Sequence, residues 1–175
     1  VGNDFNGDLK GDILLQNGAN GACFIWEMDS KTVHDSGYVG WTPGADWKAK
    51  GTGDFNGDGH SDVLLQNSTN GNCYVWEMNG KTLIDSGYVG WTPGVNWQAK
   101  CTGDFNGDGK SDILLQDSTN GSCYVWEMNG KTLIDSGFVG WTPGAEWQVK
   151  GAGDFNGDGR SDILLQNSTN GACFV

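Results

Sequence analysis

Apolar and polar residues alternate along this chain with a period near two, and the alternation breaks at the same places every fifty residues. Residues 51–100 show the pattern. Asp62 to Gln66 predicts a short apolar strand, and Asn67 to Gly71 a polar turn. Cys73 to Met78 predicts a second strand, with Tyr74, Trp76 and Met78 on one face and Cys73 and Val75 on the other. Asn79-Gly80 is a two-residue hairpin signal. Lys81 to Val89 predicts a third strand, twisted or bulged at Asp85 to Gly87. Gly90-Trp91-Thr92-Pro93-Gly94 reads as a long turn, and Trp97 to Thr102 as a fourth strand running into an acidic loop. Helices are excluded, because the apolar spacing is near two and glycine interrupts every candidate run.

Residues 51–100 and 101–150 align without gaps, and 1–50 and 151–175 keep the same register. The chain is read as one array over 1–175, with units 1–50, 51–100, 101–150 and a partial unit 151–175. A unit of this length suits one blade of a β-propeller. Four antiparallel strands with apolar residues on both faces form a sheet that must be covered on both sides, and stacking such sheets around an axis does this. The predicted fold is therefore all-β, a propeller of four-stranded blades; a flat solenoid of the same units is the alternative. Sets of four strands are expected at 13–52, 63–102 and 113–152, three full blades followed by half of a fourth. Such an array closes no ring alone, so a longer parent or further copies of the chain are expected to complete it, and both ends read as cut from something longer.

Charge sharpens the picture. The net charge is −12, and twelve aspartates lie in four loops: Asp4, Asp8 and Asp12; Asp54, Asp58 and Asp62; Asp104, Asp108 and Asp112; Asp154, Asp158 and Asp162. Outside them, acidic and basic residues balance at ten each. Each loop reads Asp-Phe-Asn-Gly-Asp-x-x-x-Asp, numbered here as positions 1 to 9. Oxygen side chains at positions 1, 3 and 5 are what a hard cation needs, and the residue at position 7 (Lys10, His60, Lys110 or Arg160) can offer its carbonyl while its side chain varies freely. Asn6, Asn56, Asn106 and Asn156 occupy position 3, and the position-9 aspartate closes the shell in place of the EF-hand glutamate, since position 12 is leucine. Calcium fits better than magnesium, which keeps its waters, and zinc would want histidine or thiolate. Up to four calcium ions are expected, which would bring −12 to −4. In the first loop Leu9 stands where the others have glycine, which predicts a weaker or slightly reshaped site.

These loops, each followed by an apolar strand, resemble the FG-GAP/VCBS repeats of integrin α-subunit propellers and of many bacterial surface and secreted proteins. The resemblance covers the whole chain. It implies a propeller, commonly of seven blades, with calcium held by the side chains at positions 1, 3, 5 and 9 and the carbonyl at 7. It also implies an extracellular or cell-surface setting, and no particular ligand.

Two roles follow: a calcium-stabilised scaffold for adhesion, protein binding or assembly, or a calcium-dependent lectin in which Trp41, Trp91 and Trp141 of the Trp-Thr-Pro-Gly turns stack on sugars. The other reading of these tryptophans is packing between blades. An enzyme is not expected, because His34 and His60 are unrepeated and no catalytic set stands out. Nucleic acid is an unexpected partner, because no basic stripe is visible in the sequence. Membrane insertion is not expected either, because no apolar run approaches about 20 residues. Cys23, Cys73, Cys123 and Cys173 recur at one repeat position and read as small buried thiols rather than a disulfide framework, with Cys101 extra. Asn67 and Asn167 head sequons but read as turn residues.

Overall fold

The computed structural model describes residues 3–175, and every element in it is a strand. The first unit carries β1 (Ile13–Gln16), β2 (Cys23–Asp29) and β3 (Thr32–Tyr38), and β4 (Trp47–Gly53) runs from it into the second. The second unit carries β5 (Asp62–Asn67), β6 (Cys73–Asn79), β7 (Thr82–Tyr88) and β8 (Trp97–Gly103). The third carries β9 (Asp112–Asp117), β10 (Cys123–Asn129), β11 (Thr132–Phe138) and β12 (Trp147–Gly153), and β13 (Asp162–Asn167) and β14 (Cys173–Phe174) follow. Among the described residues no helix is long and apolar enough to cross a membrane.

Among the described residues the strands form four antiparallel sheets: β1-β2-β3, β4-β5-β6-β7, β8-β9-β10-β11 and β12-β13-β14. The expected sets at 13–52, 63–102 and 113–152, with half a blade after them, are corrected by this pairing. There are two four-stranded sheets between two three-stranded ones, because each fourth strand pairs forward: Trp47 lies opposite Asn67, and Gly53 opposite Asp62. The acidic loop is thus a hairpin within one sheet. The Trp-Thr-Pro-Gly segment is the crossover between sheets, where proline, lacking an N–H, joins no ladder.

The predicted faces of the second strand hold. Cys73 and Val75 pack with Phe55, Leu64 and Val89 against Ile113, Leu115, Trp126 and Met128 of the next sheet. Trp76 and Met78 pack the other way, against Phe5, Cys23, Ile25 and Val39. The core therefore lies between sheets, each presenting one face backward and one forward. β8 neighbours both β4 and β12, so the first strands of successive sheets gather along one line. Side-by-side antiparallel sheets of this kind are consistent with propeller blades, and no ring closes among the described residues.

Two irregularities recur. The β6–β7 ladder shifts at Glu77/Met78, where Glu77 faces Asp85 and Met78 faces Leu83, leaving Ile84 unpaired. The expected kink thus falls just before Asp85. The hairpin residues are Gly80 and Lys81, one step beyond the expected Asn79-Gly80, and Gly80 has φ +56°. That places the left-handed residue first in the turn, as a type II′ hairpin requires.

Candidate metal centre

Each acidic loop wraps around its first carboxylate. In the second loop Asp54 Oδ1 accepts the N–H groups of Gly57 at 2.6 Å and Asp58 at 3.1 Å, and Oδ2 accepts that of Gly59 at 2.8 Å. Asn56 Oδ1 accepts from Asp58 N at 2.9 Å, and Asp58 Oδ1 from His60 N at 2.9 Å. The third and fourth loops repeat these bonds around Asp104 and Asp154. The N–H groups of Gly159, Gly157, Asp158 and Asn156, with Gly159 foremost, hold the Asp154 carboxyl below its usual range. A single local program of short-range acceptors thus folds every loop.

The position-9 aspartate has a different task. Asp62 is fully buried; its Oδ2 accepts Phe55 N and its Oδ1 accepts Met78 N, both at 2.8 Å. The first bond ties the two ends of the loop together. The second reaches the ladder step at Glu77/Met78, so loop and irregularity are parts of one device. Asp12 and Asp112 make the same pair of bonds. Burial, reinforced by the charges of Asp58 and Asp54, pushes the Asp62 carboxyl up to about 7. Burial likewise lifts Asp112 to about 6.

The first loop keeps the shared conformation despite Leu9. Leu9 has φ +67°, where Gly59, Gly109 and Gly159 have +88°, +84° and +85°, and its N–H reaches Asp4 Oδ2 at 2.8 Å. Leucine has been forced into the left-handed region rather than the loop reshaped around it.

Consecutive loops are joined to one another. The carbonyls of Asp4, Asp54 and Asp104 accept the N–H groups of Ser61, Ser111 and Ser161 in the following loops at 2.6, 2.7 and 2.6 Å. The carbonyls of Phe5 and Phe55 accept those of Gly80 and Gly130 in the next sheet's hairpin at 2.6 and 2.7 Å. The position-7 side chains are not free riders. A Cβ placed on Gly7, Gly57 or Gly107 would lie 2.9 to 3.3 Å from an atom of His60, Lys110 or Arg160 respectively. All four residues at position 7 are basic, a regularity that the sequence displays.

The profile of the FG-GAP-like repeat matches residues 54–115 and again residues 104–165. The chain belongs to the FG-GAP-like repeat family. Each match opens on an acidic loop and ends in the strand that follows the next one, so the family's unit and the loop spacing coincide. No curated protein shows a match to this chain.

The donor set of this FG-GAP-like chain fits a hard cation. Every side chain at positions 1, 3, 5 and 9 offers oxygen, and each carboxylate oxygen that accepts one N–H keeps lone-pair capacity for another partner. Asp54 and Asp58 stand close enough to Asp62 for their charges to raise it. The carboxylates are folded onto the loop's own amides, and among the described residues no three His, Cys, Asp or Glu side chains converge on one point. Asp54, Asn56, Asp58 and the position-7 carbonyl are the residues that would hold a cation here, with Asp62 behind them.

The remaining candidates are dispersed. Trp41 and Trp91 lean edge-on against Trp76 and Trp126 of the next sheet at 5.6 and 5.5 Å, and Trp141 lies 5.7 Å from Phe174. They remain 44, 49 and 53% exposed. Asn67 is buried, with Oδ1 taking N–H groups of its own turn. Cys23, Cys73 and Cys123 are buried and Cys173 is exposed.

One structural element was not read from the sequence. Gln66, buried in an apolar strand, donates to the carbonyls of Gly71 at 3.2 Å and Trp97 at 2.9 Å and accepts from Ala99 N at 3.0 Å, tying β5 to β8 of the next sheet. Gln16 and Gln116 do the same. The available signal was an amide recurring in register inside a run that otherwise wants only apolar residues.

Proposed function

We propose that the chain is a calcium-binding propeller scaffold, displayed outside the cell, that serves adhesion, protein binding or assembly rather than catalysis. The observation that supports this reading is the fourfold repetition of one oxygen-lined loop carrying the entire excess of negative charge. A bound cation supplies the charge that lets three carboxylates share a loop. The loop residues do the rest: Asp54 gathers the loop amides, Asn56 and Asp58 fix the turns, and Asp62 pins loop to sheet. Because successive loops are hydrogen-bonded, the whole row gains from ordering any one of them. The extracellular setting is the one that FG-GAP-like repeats suggest.

Thermal melts in calcium and in chelator test the reading. A ligand that binds only the folded form adds about 2.7 kcal/mol per site at a hundredfold excess over its dissociation constant. The melting temperature should therefore rise by several degrees or more in calcium, and identical melts in both would refute it. A lectin is the second reading, favoured by the half-exposed Trp41, Trp91 and Trp141. A glycan array with and without chelator separates the two.

The proposed partner is more of the same repeat, in further units or in a second copy. Ile13, Leu15 and Trp26 of the first sheet are 39, 38 and 37% exposed, whereas their counterparts Val63, Leu65 and Trp76 are fully buried against a preceding sheet.

A further inference from the structure

The sheets bring together lysines that stand fifty residues apart in sequence. Lys50, Lys100 and Lys150 hold one repeat position, on β4, β8 and β12. Each falls at a ladder shift: Ala49 pairs with Leu65 and Gly51 with Leu64, so Lys50 is left unpaired, and the steps at Ala99/Cys101 and Val149/Gly151 do the same for Lys100 and Lys150. These three strands are the free edges of their sheets, and β8 lies between the other two. The register of β8 against β4 is fixed by Thr102 Oγ1 donating to Thr52 O at 2.6 Å, and the Thr102 side chain lies against Gly51. The bulged lysines therefore form a row across neighbouring edge strands.

This row has no acidic partner. The ion pairs of the described residues involve Lys10, Lys81 and Lys131. Lys100 and Lys150 instead donate to the neutral amide oxygens of Gln98 and Gln148, two residues back on the same strands, at 2.8 and 3.1 Å. β8 contacts both β4 and β12, which brings the three positions side by side, and burial, then the charges of Lys50 and Lys150, lowers the Lys100 amine below its usual value. A chain with net charge −12 thus leaves a half-buried lysine flanked by two more. Asp4, Asp54 and Asp104 line a cavity of about 620 Å³ with Ser111 and with Thr52 and Thr102 at the loop-ward ends of β4 and β8, and none of these aspartates pairs with the three lysines. The line where the sheets meet is polarised, acidic at its loop end and cationic along the strands.

We propose that Lys50, Lys100 and Lys150 form a binding site for a small anion bearing two or three carboxylate, sulfate or phosphate groups. Ammonium groups are point-charge donors suited to such groups, and the amides of Gln98 and Gln148 add N–H donors once their oxygens are engaged by lysine. Multivalence is the selective feature, because the charges come from separate strands and a single carboxylate satisfies only one or two. Lateral spread across strands, rather than a stripe along one segment, distinguishes the row from an ordinary solvated lysine.

The test is calorimetric titration of the whole chain with benzene-1,3,5-tricarboxylate and with benzoate, at equal ionic strength and equal free calcium. The tricarboxylate should bind saturably and at least tenfold more tightly than benzoate. Lys100→Gln should weaken it about tenfold, on the scale of a lost charge-assisted bond. Lys50→Gln, at an exposed side chain, should weaken it in the same direction, and Lys31→Gln in the β2–β3 hairpin should not. Absence of saturable binding, equal affinity for the two anions, or an equal loss in Lys31→Gln would each overturn the proposal.

Discussion

Leu9→Gly isolates a single backbone term. Leu9 sits at φ +67° with its side chain 78% exposed, so the substitution relieves a left-handed conformation and sacrifices little packing. A side-chain-bearing residue in that region costs about 1–2 kcal/mol, and the greater freedom that glycine loses on folding takes back about 0.5–1 kcal/mol. The net expectation is a gain of about 0–1.5 kcal/mol, with a midpoint of about 0.75 kcal/mol, which is about 1.5–3 °C in melting temperature for a chain of this length. Gly59→Leu is the mirror experiment. Gly59 has φ +88°, and a Cβ there would meet nothing within 4 Å, so any loss reflects conformation and not collision. It should cost about what Leu9→Gly returns, or slightly more. Both variants are read by calorimetric melts at fixed calcium. If Leu9→Gly is destabilising, or Gly59→Leu harmless, backbone strain is not what distinguishes the first loop.

Three further outcomes are expected. Gln116→Leu removes two donors and an acceptor from Gly121, Trp147 and Val149 and should cost about 2–4 kcal/mol in urea unfolding, whereas Gln166→Leu, with only a 3.4 Å bond to Gly171, should cost less than about 1 kcal/mol; equal losses would refute the inter-sheet role. Burial pushes Cys23 and Cys123 up to about 11 and Cys73 and Cys101 up to about 12, so these thiols stay protonated at pH 8; a chromogenic disulfide should modify exposed Cys173 first, half-buried Cys101 more slowly, and buried Cys23, Cys73 and Cys123 only on unfolding. Light scattering on the 175-residue chain in calcium should show discrete self-association through the exposed Trp26 face, and a folded monomer at micromolar concentration would argue against more of the same repeat as its partner.

Much of this protein is dictated locally. The alternation of Cys73 to Met78 determines two faces whichever neighbours they meet, because successive side chains on a strand must point opposite ways. The acidic loops are as local, since Asp54, Asn56 and Asp58 fold their turn on amides at most five residues away. What the sequence leaves undecided is which strands share a sheet. In a perfect repeat, Trp97 to Gly103 has the same composition beside the strand before it as beside the strand after it, and periodicity cannot choose. The choice is made by contacts distant in the chain: Asp112 closes its loop into a hairpin and reaches across to Met128, while Gln116 stitches β9 to β12 of the next sheet. The recurrence of Lys50, Lys100 and Lys150 is visible in sequence, but their juxtaposition is not, for a related reason. Fifty residues separate one from the next, and only the ladder shift that leaves each one unpaired, followed by the approach of three edge strands, sets like charges side by side.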